Sequence, residues 1–184
     1  MENDERRDCE FMDTFVEQIV AKKKGGKEWA IIIGVIVGFL VVSFLLFWFL
    51  YMIALLLIMG AGYGAWWLIT SQNIEFEYSV TNGDIDIDQI TARRKRRRIV
   101  SVTGAKIESL QPFDDSFASR PFDRQVMAAP SLAEEGLWCF TYHSKKNGNT
   151  LVVFQPEQRV LDALIAGLPR LVQLDVNRKL SAAK

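Results

Sequence analysis

Charged side chains are missing from one long stretch of this 184-residue sequence. Its 22 basic and 22 acidic residues cancel to a net charge of zero, yet none of them lies between Trp29 and Ile74. Cysteine and histidine are also scarce, with two and one. Two cysteines exclude a disulfide-rich secreted domain, and the 49% hydrophobic content excludes a disordered chain. The uncharged stretch predicts a membrane protein and not a soluble one.

The uncharged stretch is too long for a single membrane helix. As one helix, residues 29–69 would extend about 60 Å, whereas the hydrocarbon core of a bilayer is about 30 Å thick. We therefore expect two transmembrane spans, near residues 30–49 and 52–70, folded back as a hairpin. Aromatic residues that favour the membrane interface lie near the expected span ends: Trp29, Trp66 and Trp67 on one side, and Trp48 and Tyr51 on the other.

Basic residues flank the expected hairpin on both sides, with a lysine cluster before it and a run of six basic residues after it. They are Lys22, Lys23, Lys24 and Lys27, then Arg93, Arg94, Lys95, Arg96, Arg97 and Arg98. Because cytoplasmic flanks are enriched in basic residues, we expect a plasma-membrane protein with both termini in the cytoplasm. This divides the chain into a leader (1–28), a transmembrane hairpin (29–71) and a cytoplasmic domain (72–184).

The leader is expected to contain an amphipathic helix after about ten mostly charged residues. Its apolar residues recur at helical spacing: Phe11, Met12, Phe15, Val16, Ile19 and Val20. Such a helix would lie on the inner membrane surface or, alternatively, pack on the cytoplasmic domain.

Small residues in the two spans suggest how the helices pack. Gly34 and Gly38 in the first span, and Gly60 and Gly64 in the second, are each separated by three residues, the spacing that lets membrane helices approach closely. We expect these glycine faces to meet.

The cytoplasmic domain has the alternating pattern of β-strands. Ile74, Phe76, Tyr78 and Val80 alternate with polar residues, and Asn82-Gly83 then predicts a tight hairpin turn. Further strands are expected over residues 84–90, 97–102, 105–110, 125–128, 137–143 and 150–154, with a second hairpin turn at Asn147-Gly148.

One amphipathic helix is expected to follow the strands, from Pro156 to about Pro169. About seven strands followed by one capping helix is the element order of pleckstrin-homology-like folds. The predicted fold class is therefore α+β: a two-helix transmembrane hairpin, then a pleckstrin-homology-like antiparallel β-barrel or sandwich capped by a C-terminal helix.

Three segments of the sequence carry a resemblance to a known family. They are residues 12–20 (MDTFVEQIV), 64–88 (GAWWLITSQNIEFEYSVTNGDIDID) and 151–157 (LVVFQPE). Over about residues 12–172 the chain resembles an uncharacterised Firmicutes family of small two-span membrane proteins, a domain of unknown function. The segment from Tyr78 to Asn82 also resembles the first hairpin of bacterial pleckstrin-homology domains. Neither resemblance implies a catalytic residue or a ligand.

The basic run Arg93–Arg98 is the main candidate site. Near a bilayer it could bind anionic lipid, together with Lys22, Lys23 and Lys24, and nucleic acid is a less favoured anion. A structural role is the alternative, because acidic residues on the neighbouring strands offer partners across the sheet: Glu75, Glu77, Asp84, Asp86 and Asp88.

No spacing in the sequence indicates catalysis, a metal site or a cofactor. The aspartates at 84, 86 and 88 resemble a calcium loop only superficially, since Gln89 stands where that loop needs glycine. His143 has no local cysteine or carboxylate cluster around it. We therefore expect a non-enzymatic membrane protein whose cytoplasmic domain binds another protein or anionic lipid. The alternative is a structural subunit of a larger membrane complex, packed through its hairpin.

Overall fold

The computed structural model describes residues 14–114, 120–132 and 135–182, and within these ranges it has eight strands and four α-helices. The strands are β1 (Phe15–Ala21), β2 (Ile74–Thr81), β3 (Asp84–Thr91), β4 (Lys95–Val102), β5 (Ile107–Pro112), β6 (Arg124–Met127), β7 (Trp138–Ser144) and β8 (Gly148–Phe154). The helices are α1 (Gly26–Phe49), α2 (Ala54–Thr70), α3 (Gln158–Ala166) and α4 (Arg170–Ala182). A short 3₁₀ turn, Gly104–Lys106, precedes β5.

The eight strands form two four-stranded sheets. The first has the order β1-β2-β3-β4, and all its neighbouring strands are antiparallel. The second has the order β5-β7-β8-β6, in which β6 runs parallel to β8 and the other pairs are antiparallel. The predicted α+β class with antiparallel strands is thus confirmed, with β6 as the exception.

Strand β2 illustrates why the sheets form where the alternating pattern predicts them. Phe76, Tyr78 and Val80 are buried in the core, because successive side chains of a strand face opposite sides. At the predicted turn, Asn82 and Gly83 have φ values of 51° and 84°, the left-handed conformation that a tight hairpin requires. Near the second predicted turn, residues 145–147 connect β7 to β8, and Gly148, with φ 65°, is the first residue of β8.

The predicted amphipathic helix in the leader is wrong where the structure describes it. Residues 15–21 form β1, which pairs with β2 over its whole length, while Phe11 and Met12 lie outside the described residues. Val16 and Val20 pack against the core, whereas Phe15 and Ile19 are exposed on the other face of the sheet. Apolar residues on both faces of a strand give pairs spaced by four, which imitates a helical stripe. β-Branched residues at 16, 19 and 20 favour the strand.

The first sheet therefore begins before the helical hairpin and continues after it. The chain leaves β1 at Ala21 and returns in β2, where Ala21 is the cross-strand partner of Glu75. The Lys22 amide N donates a hydrogen bond to the Ile74 carbonyl O at 2.8 Å. Helices α1 and α2 are thus inserted between two adjacent strands, and both open ends of the hairpin lie at one end of the sheet.

Helices α1 and α2 lie close to the predicted spans and pack against each other, with residues 50–53 between them. Among the described residues, α1 is the one helix long and apolar enough to cross a membrane, with a mean hydropathy of 3.0 over its most apolar window. Helix α2 is apolar but shorter, with 17 residues.

Two helices, and not one, follow the strands. Helix α3 buries Val160, Leu161 and Leu164 in the core that the strands form. After Pro169 the chain continues as α4, which packs against β5 and buries Val176. The prediction of a single C-terminal helix is therefore incomplete, because Pro169 separates two helices and is followed by a further amphipathic segment.

Polar side chains also join the two sheets. The Gln18 side-chain Nε2 donates to the Gln155 backbone carbonyl O at 3.1 Å, and its Oε1 accepts from the Glu157 backbone N at 2.7 Å. The Tyr78 hydroxyl donates to the Ala128 carbonyl O, and burial raises the pKa of Tyr78 to about 12. These bonds connect β1 and β2 to the chain around β6 and β8.

Candidate functional site

The basic run and the acidic residues meet on the outer face of the first sheet. Arg96 contacts Glu77 and places its Nε 2.6 Å from an Asp88 carboxylate oxygen. Arg98 lies 3.1 Å from both Asp86 and Asp88. Arg96 and Arg98 therefore pair with acidic residues across the sheet, as the structural alternative in the sequence analysis predicts. We call these five residues the ion-pair network: Glu77, Asp86, Asp88, Arg96 and Arg98.

Two buried carboxylates of the ion-pair network, Glu77 and Asp88, have pKa values shifted in opposite directions. Desolvation raises the pKa of Glu77 above its usual value, against the opposing effect of the Arg96 charge. Desolvation also acts to raise the pKa of Asp88, but hydrogen bonds from Arg98 and Arg96 outweigh it, and the net pKa is lowered. Asp88 is therefore held as a carboxylate between two guanidinium groups, which is a structural use of charge.

Arg94 has a different role, because it contacts the helical hairpin. Its guanidinium carbon lies 5.7 Å from the ring centre of Trp66 and 5.6 Å from that of Trp67. Its Nη2 donates to the Thr70 hydroxyl at 3.0 Å. The turn between β3 and β4 is thus attached to the last turns of α2 by cation–π contacts and a hydrogen bond.

The other members of the basic run are more exposed. Arg93 places its Nε 3.1 Å from Glu75, and 81% of its side chain stays exposed. Lys95 and Arg97 are exposed, and within the described residues neither has an ion pair. The six residues therefore do not form one continuous basic surface.

The lysine cluster before α1 lies at the same end of the first sheet as the β3–β4 turn. The Lys22 amine is 2.8 Å from a Glu28 carboxylate oxygen, and the Lys23 amide N donates to the Pro130 carbonyl O at 3.2 Å. Lys24 is exposed beside a cavity of about 380 Å³. We call this cavity the junction pocket; its lining includes Lys22, Lys24, Thr70, Asn73, Glu75, Ala92 and Arg93.

The four glycines expected to bring the membrane helices together do not do so. A Cβ atom added at Gly34, Gly38, Gly60 or Gly64 would meet nothing within 4 Å. The close approach is made by Gly62 instead, where an added Cβ would lie 3.6 Å from the Phe39 ring. The prediction that the two glycine faces meet is therefore wrong for this hairpin, because its contacting face is rotated away from them.

A larger cleft lies at the other end of β2, away from α2. It encloses about 910 Å³ between the β2–β3 turn, the end of β4 and the β7–β8 turn. Its lining includes both acidic and basic residues: Asp84, Asp86, Lys106 and Lys145. His143 also lines this cleft, with its Nδ1 2.8 Å from the Asn149 side-chain oxygen.

Where the structure describes them, the cysteine and the row of aspartates noted in the sequence are buried or have polar partners. Cys139 is buried, and desolvation raises its pKa to about 11, so its thiol is a poor nucleophile. Cys9 lies outside the described residues. Asp84 accepts a hydrogen bond from the Gly104 amide N at 3.1 Å, while Asp86 and Asp88 are in the ion-pair network. The resemblance to a calcium loop is thus a row of aspartates along β3, each with a partner.

Two features of this region are not predicted from the sequence. The first is the contact of Arg94 with Trp66 and Trp67, because the 27 residues that separate Arg94 from Trp67 leave no local pattern to indicate it. The second is the junction pocket, because only the β1–β2 pairing brings Lys24 near Arg93.

Comparison with known proteins identified a family. The family model described as Bacterial PH-like domain (DUF6106), a domain of unknown function, matches residues 12–174. No curated protein and no solved structure matches the chain.

Proposed function

The chain belongs to this bacterial PH-like domain family, and from that premise we propose that it is a non-enzymatic protein anchored in the plasma membrane by two helices. Its PH-like domain lies on the cytoplasmic side and binds another protein or anionic lipid there. Tethering concentrates the domain at the membrane surface, so weak contacts are sufficient.

The observation that carries this proposal is the pairing of β1 with β2 on either side of the hairpin. Ala21 and Glu75 are cross-strand partners, so they lie on the same side of any membrane that α1 crosses. A chain that crosses once through α1 must then return through α2. Helix α1 extends about 36 Å and α2 about 26 Å, close to the thickness of a bilayer core.

The cytoplasmic assignment rests on the basic residues at the open end of the hairpin. Lys22, Lys23, Lys24 and Lys27 precede α1, and Arg93 and Arg94 lie in the turn that contacts α2. Residues 50–53, at the closed end, contain none. We call the two sheets together with α3 and α4 the β domain. The asymmetry favours a topology in which the open end of the hairpin and the whole β domain lie on the cytoplasmic side.

The non-enzymatic assignment is supported by the state of the reactive side chains. Cys139 is buried with a raised pKa, and His143 contacts Asn149. The carboxylates on the outer face of the first sheet are paired with arginines.

Cysteine accessibility in intact cells tests the two-span topology. In a Cys9→Ala background, a cysteine replaces Met52, which is 93% exposed between the helices, or Lys145 in the β7–β8 turn. A membrane-impermeant maleimide should label Met52→Cys in intact cells and Lys145→Cys only after lysis. Labelling of both positions, or of neither, in intact cells would contradict the proposal. The unsubstituted background corrects for Cys139.

A second candidate function, a structural subunit of a larger membrane complex, is favoured by the glycine faces that the hairpin leaves open at Gly34, Gly38, Gly60 and Gly64. Crosslinking in native membranes tests it. A subunit should be captured with another membrane protein, and Gly60→Leu with Gly64→Leu should abolish that capture. Unchanged capture by the variant would rule out packing through this face.

A further inference from the structure

The junction pocket is formed where three connections of the chain meet. Lys22 and Lys24 come from the β1–α1 connection, Asn73 from the α2–β2 connection, and Arg93 from the β3–β4 turn. Backbone hydrogen bonds hold these connections together, from Lys22 N to Ile74 O at 2.8 Å and from Ala92 N to Asn73 O at 2.7 Å. The pocket is therefore a built part of the fold and does not depend on a mobile loop.

Its charges favour an anion. Lys22 is neutralised by Glu28, and Arg93 contacts Glu75 through Nε while most of its side chain stays exposed. Lys24 has no ion pair within the part of the chain that the structure describes. Among the residues that line the pocket, three are basic, Lys22, Lys24 and Arg93, and one is acidic, Glu75.

The position of the pocket indicates that the anion comes from a lipid headgroup. Thr70, at the end of α2, lines it, and Trp66 and Trp67 lie one turn away, where they contact Arg94. Tryptophan side chains at the ends of membrane helices lie at the level of the lipid headgroups. In a bilayer the pocket is thus beside the phosphates of the surrounding leaflet.

We propose that the junction pocket binds the headgroup phosphate of an anionic glycerophospholipid from the cytoplasmic leaflet, with Lys24 and Arg93 as the cationic ligands. This inference rests on the membrane insertion proposed above. It narrows the residues predicted to contact lipid to one arginine of the basic run and one lysine of the cluster before the hairpin. Arg96 and Arg98 have no part in it, because Asp86, Asp88 and Glu77 occupy them.

Native mass spectrometry of the full-length protein in detergent tests the site, with dioleoyl phosphatidylglycerol as the titrated lipid. The first phosphatidylglycerol should bind at least tenfold more tightly than phosphatidylcholine. The double variant Lys24→Gln with Arg93→Gln should weaken that first binding event tenfold or more, since each cation near a membrane surface contributes about fivefold. The matched control, Lys145→Gln with Lys146→Gln in the exposed β7–β8 turn, should change it less than twofold.

Three outcomes would overturn the inference. They are equal affinity for the two lipids, equal weakening by the pocket and control variants, and displacement of the lipid by inorganic phosphate at the same concentration, which would indicate a free-phosphate site.

Membrane fractionation separates failure of the lipid-site inference from failure of the proposed function. A chain that fractionates with membranes but lacks lipid preference contradicts the lipid site alone, whereas a chain recovered in the soluble fraction contradicts both.

Discussion

Single residues decide how the β domain is attached to its helices. Arg94 lies over Trp66 and Trp67 and donates to Thr70, so one side chain joins a turn of the sheet to the end of α2. Its neighbours in the sequence serve other purposes: Arg96 pairs within the sheet and Arg97 is exposed. Adjacent basic residues of one run thus have distinct roles: Arg94 lies in the turn before β4, and alternation along β4 places Arg96 and Arg97 on opposite faces of the sheet.

Replacement of Arg94 by lysine tests this attachment. Lysine keeps the charge but cannot present a planar guanidinium to two rings and a hydroxyl. We expect the thermal unfolding midpoint of the full chain in detergent to fall by about 2 °C. Arg97→Lys, at an exposed position two residues before the β4 bulge, should leave it unchanged. Equal midpoints for the two variants would contradict the attachment.

Asp88 gives a pH-dependent prediction. Because its pKa is lowered in the folded state, its contribution to stability is complete above the ordinary aspartate value of about 3.8 and is lost as pH falls through the lowered pKa. Asp88→Asn should therefore reduce the free energy of unfolding by about 2 kcal/mol at pH 7, a figure discounted for its half-exposed arginine partners. The difference from wild type should shrink below pH 3.8.

Urea titrations in detergent across this pH range provide the measurement. Asp162→Asn, on the exposed face of α3, is the matched control and should stay within about 0.5 kcal/mol of wild type at every pH. A loss for Asp88→Asn that is the same at pH 3 and pH 7 would show that its effect is not electrostatic.

At the scale of elements, close backbone contact fixes how α3 meets the first sheet. Gly83 in the β2–β3 turn has φ +84°, and a Cβ atom built there would lie 2.2 Å from the Gly167 Cα. Gly104, in the 3₁₀ turn, lies against both of them. Three connections therefore approach each other at a point where no side chain fits.

Gly167→Ala tests that contact. The added methyl group would lie 2.2 Å from the Gly83 Cα, so the end of α3 must shift, and we expect a loss of about 2 kcal/mol in the free energy of unfolding. Gly60→Ala, where an added Cβ meets nothing within 4 Å, should be neutral or slightly stabilising. An unchanged free energy of unfolding for Gly167→Ala would mean that the chain at Gly167 can move away from the β2–β3 turn at little cost.

The elements differ in how well the sequence predicts them. β2 and β3 are predicted almost to the residue, because alternation, buried apolar residues and the Asn82-Gly83 turn all agree. β1 is predicted as a helix because its Val16, Ile19 and Val20 spacing suits either period, and only its partner β2, on the far side of the hairpin, decides between them. The ion-pair network is foreseen from charge alternation, whereas the junction pocket depends on long-range pairing that local patterns do not contain.

At the scale of the whole molecule, the helical hairpin is an insertion in a β-hairpin. Ala21 and Glu75 are partners, and the Lys22 to Ile74 hydrogen bond closes the pair of strands as a short loop would. The core residues of the β domain, among them Tyr78, Phe140 and Phe154, come from outside the hairpin. The β domain should therefore fold without α1 and α2.

Excision of the hairpin tests this. Replacing residues 23–73 with Asn-Gly joins Lys22 to Ile74 through the two-residue loop that antiparallel strands favour. We expect a protein that is soluble without detergent, elutes as a single species in size-exclusion chromatography and keeps the near-ultraviolet circular dichroism of its buried aromatic residues. Aggregation, or loss of that signal, would mean that the helices are part of the folding unit.

The separation of β1 from β2 also has a consequence during biosynthesis. In the proposed two-span topology, β1 leaves the ribosome before α1 and has no partner strand until the hairpin has been inserted and β2 has been made. A chain in which only α1 crosses leaves its two partner strands on opposite sides of the bilayer, and β2 keeps an open edge. A fault in insertion thus becomes a fault in folding, which chaperones and proteases recognise by the exposed strand.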